Sequence, residues 1–151
     1  MSQRVNDERA RAAYQLIEKI STDNDEEAKK ACKSSASEED KLKAEREKKQ
    51  KNKEFRSIAR SFPTKVQTNG LLVAVAFLDA KDEQHMKLKD ALGNWLYKKD
   101  SDNSKKINLT KELVKLERDS YRLDSQEAMA YAQWVKRFAE GRWDKDGQEK
   151  Q

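Results

Sequence analysis

The feature that most constrains the fold is an uncharged apolar run, Leu71 to Leu78, in a chain that is otherwise densely charged. Charged residues make up 40% of the chain and hydrophobic residues 35%, whereas ordinary domains have roughly 25% and 45–50%. The run must therefore lie at the centre of the core. Its Leu/Ala-rich pattern, apolar on all sides, favours a fully buried helix. The preceding Asn69-Gly70 also fits the tight turn of a β-hairpin, so that alternative stays open at this point.

Turn-forming residues are too few for an all-β chain. The 151 residues include four glycines and one proline, and a strand-rich fold needs such residues at every reversal. The sequence predicts an all-α fold. We expect one helical domain over residues 1–143 and a polar tail over residues 144–151.

Apolar residues at helical spacing place the individual helices. They predict a first helix over 3–20, a helix ending near Phe62, another starting at Pro63, and further helices over about 83–97, 108–116 and 124–141, with a polar loop over 98–106. Pro63 is taken as a first helical position because proline removes a hydrogen bond inside a helix. Asp124 and Glu127 are expected to form a capping box, and Gly141 to end the last helix.

Charge is unevenly distributed after the first helix. Residues 22–40 carry three lysines and seven acids, a net charge of −4, whereas residues 41–65 carry ten basic residues and three acids, a net charge of +7. The acidic segment 22–40 has almost no large apolar residue, which predicts a mobile loop or a frayed helix. Residues 41–54 are rich in helix formers and predict a solvated basic helix. The acidic half is expected to point outward.

Residue types that a metal site or a catalytic nucleophile requires are scarce in this chain. His85 is the single histidine and Cys32 the single cysteine, so neither a zinc site nor a histidine-based nucleophile is indicated. His85 is expected at a helix start, as an exposed or capping side chain. We predict no enzymatic activity, no metal and no cofactor. The lone cysteine fits a reducing compartment and the longest apolar run is too short to span a bilayer, so we expect a cytoplasmic protein without membrane contact.

Aromatic and basic residues are the remaining candidates for contacts. Trp95, Trp134 and Phe138 share helical spacing with aliphatic residues and predict core packing, whereas Trp143 fits either a surface contact or a cover for the last helix. Positioned cations suffice for salt-sensitive phosphate binding. The candidates for contact with a polyanion are Arg56, Arg60, Lys65, Lys136, Arg137 and Arg142. Solvated charge on an outer helix face explains each of them equally simply.

Two segments resemble one protein family. Residues 55–78 contain a basic helix, a proline, Asn-Gly-Leu and a final Ala-Phe-Leu; residues 121–139 contain Glu-Ala and Trp-Val-Lys-Arg-Phe-Ala. Arg9 to Tyr14, Arg-Ala-x-x-Ala-Tyr, adds a third match, and all three occur in matching order. The chain is similar to the small helical subunit of the type III-B CRISPR effector, the Cmr complex. Residues 22–54 are longer and more charged than that family's pattern.

The resemblance implies a single compact all-helical bundle of about six helices, and so favours a helix over the hairpin. It implies a non-catalytic subunit that stacks in several copies along the guide-RNA-bearing backbone subunits in antiviral defence. Its partners would be those backbone subunits, further copies of itself, guide RNA and target RNA, with no small-molecule substrate. Target cleavage would belong to the backbone subunit and signalling chemistry to the large subunit. The six cations named above would then be candidates for RNA contacts.

Two other functions remain open at the level of sequence. One is a helical adaptor that binds only proteins, in which the basic block serves solubility. The other is the small subunit of a related CRISPR effector type, which shares the helical character but not the proline and Asn-Gly-Leu element.

Overall fold

The computed structural model describes residues 2–32, 37–97 and 107–143, and within these ranges the chain forms α-helices and no strand. The helices are α1 (Ser2–Ala31), α2 (Glu38–Asn69), α3 (Leu71–Asp79), α4 (Glu83–Tyr97), α5 (Leu109–Val114) and α6 (Arg118–Trp143). The predicted all-α fold with about six helices is confirmed. The loop expected over 98–106 and the tail expected over 144–151 lie outside the described residues.

Three long helices form the body of the bundle. Helix α2 packs against both α1 and α6, and α1 also packs against α6. Asn24 contacts Asn52, while Cys32, just past α1, contacts Asp40 near the start of α2, so α2 runs antiparallel to α1. Arg56 contacts Trp143 while Arg60 contacts Glu140, so α2 also runs antiparallel to α6. The short helices α3, α4 and α5 pack on one another, and α3 and α4 also pack on α2. The core therefore lies between the three long helices and this group of short ones.

Helix α2 passes through Pro63, where the sequence predicted a boundary between two helices. Ser37 is the N-cap of α2, and its hydroxyl accepts a hydrogen bond from the Asp40 amide at 3.3 Å. Three acids in the first turn of the helix complement its dipole. Pro63 is buried with Phe62 and Val66 on one side of the helix. The prediction was wrong because burial of this apolar face offsets the hydrogen bond that proline removes.

The break falls at Gly70 instead. Its φ of 89° and ψ of 161° belong to a region that only glycine adopts readily, so α2 ends there and α3 begins. The hydroxyl of Tyr121, from α6, accepts a hydrogen bond from the Leu72 amide at 2.9 Å and satisfies one free donor of the new helix. The choice of a helix over a hairpin for 71–78 is confirmed.

Full burial of α3, however, was wrong. Leu71, Ala74, Val75 and Leu78 enter the core, whereas the side chain of Val73 is 57% exposed and that of Phe77 is 39% exposed. The side of this apolar helix that carries Val73 and Phe77 is thus left largely open, although α2 and α4 contact the helix.

The first helix continues to Ala31, well beyond its predicted end near residue 20. Residues 22–31 of the acidic segment are helical, and Asn24, Asp25 and Glu27 contact α2. Glu26, Glu38, Glu39 and Asp40 are exposed, as expected for an outward-pointing acidic segment, and residues 33–36 lie outside the described part of the chain. Asn24 and Asn52 are buried and joined at 2.7 Å, Lys48 pairs with Asp25 at 2.6 Å, and Lys51 pairs with Glu27. Polar pairing thus replaces apolar burial here. Residues 41–54, for which the sequence predicts a solvated basic helix, form the partner segment in α2.

The last helix begins at Arg118 and continues to Trp143, so the predicted cap at Asp124 and stop at Gly141 were both wrong. Asp124 instead accepts a hydrogen bond from the Tyr97 hydroxyl. Glu127 accepts from Arg9 Nε at 2.7 Å and from Trp95 Nε1 at 2.9 Å. Asp124 and Glu127, which the sequence predicted to cap the last helix, therefore form hydrogen bonds with side chains of α1 and α4 instead.

Glu127 gives the stability an acid-sensitive component. The hydrogen bonds from Arg9 and then Trp95 hold the pKa of Glu127 below its usual value, so the unfolded chain takes up this proton more readily than the folded one. The stabilisation is present above pH ~4.5 and is lost as the pH falls below it. Glu127→Gln should lower the free energy of unfolding by about 1–2 kcal/mol at pH 7. Urea unfolding of both proteins at pH 7 and near pH 4 should show that this difference in unfolding free energy is smaller at the lower pH. A larger difference at low pH would contradict this.

Candidate nucleic-acid interface

Three of the candidate arginines meet around the C-terminal end of α6. Arg56 Nη1 donates to the carbonyl oxygen of Trp143 at 3.2 Å, and Arg60 Nε donates to Glu140 Oε1 at 3.1 Å. Arg142, on α6 itself, donates to Glu18 Oε1 at 2.9 Å and to Ser21 Oγ at 3.3 Å on α1. These guanidinium groups therefore join the three long helices, and cations near a helix C-terminus also complement its dipole.

These internal partners compete with a phosphate ligand. A guanidinium that already serves a carbonyl or a carboxylate must give up that contact, or use its remaining donors, to bind a phosphate. Arg56, Arg60 and Arg142 are thus positioned first of all for a structural role. Their contact with RNA stays a prediction.

Trp143 accounts for part of this arrangement. Its side chain is 5% exposed and packs edge-on against Phe55, with ring centroids 6.0 Å apart. Of the two alternatives that the sequence left open, it covers the end of the last helix. The chain continues in helix past Gly141, which carries the indole back onto α2.

Lys136 and Arg137 lie farther back along α6, and Arg137 is exposed beside a group of aromatic rings. The Arg137 guanidinium lies 5.3 Å from the centre of the Trp134 ring, which stacks on Phe138 at 5.6 Å. Tyr14, from α1, meets Phe138 edge-on at 5.6 Å and is itself exposed. We call Tyr14, Trp134, Arg137 and Phe138 the aromatic surface cluster.

The position of this cluster corrects one prediction. The sequence placed Trp134 and Phe138 in the core, but both are only partly buried and pack against its edge. The Trp134 Nε1 donates to Asn6 Oδ1 at 2.8 Å, a contact made on the exposed side of α1. Trp95 is also only partly buried, and it stacks on Tyr131 with ring centroids 5.3 Å apart. Helical spacing identified the correct stripe but not how far the neighbouring helix covers it.

Lys65 is separate from the cations of α6. Its Nζ lies 3.8 Å from the centre of the Phe77 ring, beside the short helices. The structure therefore divides the six predicted cations into three groups: the arginines at the end of α6, Lys136 with Arg137, and Lys65 alone. Phe77 and Lys81 were not singled out from sequence, although residues 73, 76, 77 and 80 form a second apolar stripe at helical spacing.

His85 lies at the start of α4, as the sequence predicted. Its Nδ1 is 2.9 Å from Asp82 Oδ1, and this contact, together with the His85 amide, holds the pKa of Asp82 below its usual value. In the described ranges, no group of three or more His, Cys, Asp or Glu side chains is placed to hold a metal ion. Nor does that part of the chain contain a helix long and apolar enough to cross a membrane.

The described residues define a small all-helical protein with aromatic and cationic side chains on its surface. Residues 36–142 match the family model described as CRISPR-associated protein (Cas_Cmr5). The chain therefore belongs to the Cmr5 family, the small helical subunit of the type III-B CRISPR effector, or Cmr, complex. The resemblance noted in the sequence is confirmed.

A solved structure supports the fold independently. The crystal structure of a CRISPR-associated Cmr5 family protein from Thermus thermophilus superposes with a TM-score of 0.62 over 90% of this chain and 95% of that one, at 22% sequence identity. At this identity the likeness concerns the fold alone. No curated protein sequence matches the chain significantly.

Proposed function

We propose that this chain is a non-catalytic structural subunit that stacks in several copies along the guide-RNA backbone of a type III-B complex and helps to hold guide and target RNA. The observation that carries the proposal is the family match over residues 36–142, which spans α2 to α6. That range includes all six candidate cations. The chain would thus take part in antiviral defence through binding, while catalysis belongs to other subunits.

Lys136 and Arg137 are the cations best suited to RNA on α6. Arg137 is exposed and its contact is with the Trp134 ring, which leaves its charge uncompensated by that neighbour. Lys136 has no carboxylate within 4 Å among the described residues. Phosphate contacts need only such cations held in position, so these two are proposed to touch the RNA backbone.

The aromatic surface cluster supports the protein partners of the proposal. Trp and Tyr are among the residues most enriched at the energetic centres of protein interfaces, and Tyr14, Trp134 and Phe138 lie together on one surface of α1 and α6. We assign these three rings to contact with a neighbouring subunit of the complex, and Arg137 at their edge to RNA.

The same cluster favours a second candidate, a helical adaptor that contacts only proteins. Arg56, Arg60 and Arg142 already have internal carbonyl or carboxylate partners. Such pairing is expected of a protein whose cations do not bind RNA. The two candidates differ in one property, since only the first predicts that RNA retention depends on the chain's own cations.

Native mass spectrometry of the chain co-expressed with a type III-B backbone subunit and guide RNA tests the proposal. We expect two or more copies per guide, because stacking requires neighbouring copies. A properly assembled complex that excludes the chain would contradict the stacking role. A complex with one copy would contradict the filament while preserving subunit membership.

A further inference from the structure

The uncovered side of α3 faces an open cleft of about 410 Å3. The cleft is lined by Lys65 of α2, Phe77 of α3, Lys81 between α3 and α4, and His85 of α4. The Phe77 ring lies at the centre of this group: Lys65 Nζ is 3.8 Å and Lys81 Nζ is 5.2 Å from the ring centre, and the His85 ring meets it edge-on at 6.2 Å. A half-exposed aromatic ring thus has two ammonium groups directly beside it.

Among the described residues, neither Lys65 nor Lys81 has a carboxylate within 4 Å, and the ammonium group of each lies beside the Phe77 ring. The two acids of the cleft, Glu54 and Asp82, form hydrogen bonds with other groups. Asp82 Oδ1 accepts from the Gln84 amide at 3.1 Å and contacts His85, and Glu54 accepts from Gln50 at 3.3 Å. Neither ammonium group is thus paired directly with a carboxylate of the described residues, and each can move onto an anion in the cleft.

We propose that this cleft binds one nucleotide of single-stranded RNA, with the base on the Phe77 ring and the phosphate between Lys65 and Lys81. The inference rests on the proposed function, which brings RNA to the chain, and it names a site that lies apart from Lys136 and Arg137. Single-strand sites commonly combine an aromatic platform with cations that follow the backbone.

The present contacts with the ring do not prevent stacking. A cation–π contact at an exposed site is weaker than the stacking of a base on an aromatic side chain. A base can therefore displace the ammonium groups, which then reach the phosphate on their flexible stems. The cleft volume falls within the roughly 300–1,000 Å3 usual for small-molecule sites.

A second protein chain is a poorer occupant. A helix packed onto Val73 and Phe77 would bring Lys65 and Lys81 into a largely dehydrated interface together with Glu54 and Asp82, neither of which lies within 4 Å of an ammonium group of the two lysines. A nucleotide brings its own anion to those lysines. The charge at the edge of the apolar stripe thus decides between the two.

The single histidine provides the test. Its imidazole gives one set of NMR signals at the edge of the cleft, and weak binding can be followed through them in the full-length chain. We expect saturable shifts of the His85 and Phe77 signals with a short oligouridine. Phe77→Leu should weaken binding about fivefold or more, because it keeps apolar bulk but removes the stacking surface. Lys65→Gln and Lys81→Gln should each lower the slope of log affinity against log salt by about 0.7.

Lys115→Gln is the matched control, because Lys115 is exposed after α5 and outside the cleft; it should leave the His85 shifts unchanged. Three outcomes would overturn the proposal: no shift at His85, identical shifts with inorganic phosphate alone, or shifts that follow protein concentration without oligouridine. The last would assign the cleft to a second copy of the chain. Since this test uses the chain alone, its failure is distinct from failure to join the complex.

Discussion

Replacing Phe62 by alanine is expected to lower the free energy of unfolding by about 3–5 kcal/mol. Phe62 lies on α2 and is 1% exposed, among the largest fully buried side chains of the core. The substitution removes its apolar surface from the folded state and leaves a cavity, because the three long helices that surround the core cannot close fully around the gap. The favourable helix propensity of alanine recovers only a few tenths of a kcal/mol.

Guanidinium or urea denaturation followed by circular dichroism would measure this loss. Leu123→Ala is the control, since Leu123 is on α6 and 65% exposed, and its effect should stay within about 0.5 kcal/mol. Equal losses in the two variants would mean that the core does not centre on the buried side of α2.

The second large effect concerns RNA. Reversing both charges with Lys136→Glu and Arg137→Glu should weaken target-RNA retention by the assembled complex by about tenfold or more. Each lost phosphate contact removes about 0.7 from the salt slope on single-stranded RNA, and the loss is repeated in every stacked copy, which multiplies its effect. Filter binding at several salt concentrations would measure both affinity and slope.

The matched control is Lys115→Glu together with Arg118→Glu, which makes the same change in charge at a different site. Native mass spectrometry of each variant complex should give unchanged copy numbers, so that a loss of RNA is not a loss of assembly. Unchanged retention and salt dependence in the first variant would exclude RNA contact by Lys136 and Arg137, and would favour the protein-only adaptor.

The helices could be predicted from sequence, but most of their ends could not; α4, predicted over about 83–97 and found at Glu83–Tyr97, is an exception. Helical spacing and the scarcity of glycine and proline correctly indicated an all-α chain. The predicted ends at Pro63, Asp124 and Gly141 relied on local rules, and tertiary contacts overruled each of them. Pro63 is tolerated because its face is buried, and Asp124 serves Tyr97 instead of a helix end. Only at Gly70 does the required positive φ make the local signal decisive.

For the candidate site, too, some features could be predicted from sequence and others could not. Residue type alone identified the cations, but sequence could not show that Arg60 meets Glu140 or that Arg142 meets Glu18, partners that are 80 and 124 residues away. Nor could it show that α3 has an uncovered side, because exposure depends on how far the neighbouring helices extend. The family relationship was accessible because it depends on motifs rather than on contacts.

The pairing of α1 with the basic part of α2 has a consequence for the net charge of +7 over residues 41–65. Asp25 and Glu27 hold Lys48 and Lys51, so this stretch already has a polyanion of its own. The carboxylates at the end of α1 act as an internal counterion on the side of α2 where an RNA strand would otherwise contact Lys48 and Lys51. An RNA strand that bound Lys48 or Lys51 would have to displace carboxylates that belong to the same chain and therefore always remain close to the lysines. Lys48 and Lys51, within the most basic stretch of the sequence, are thus neutralised by the chain itself, and under the proposed function RNA would contact other cations.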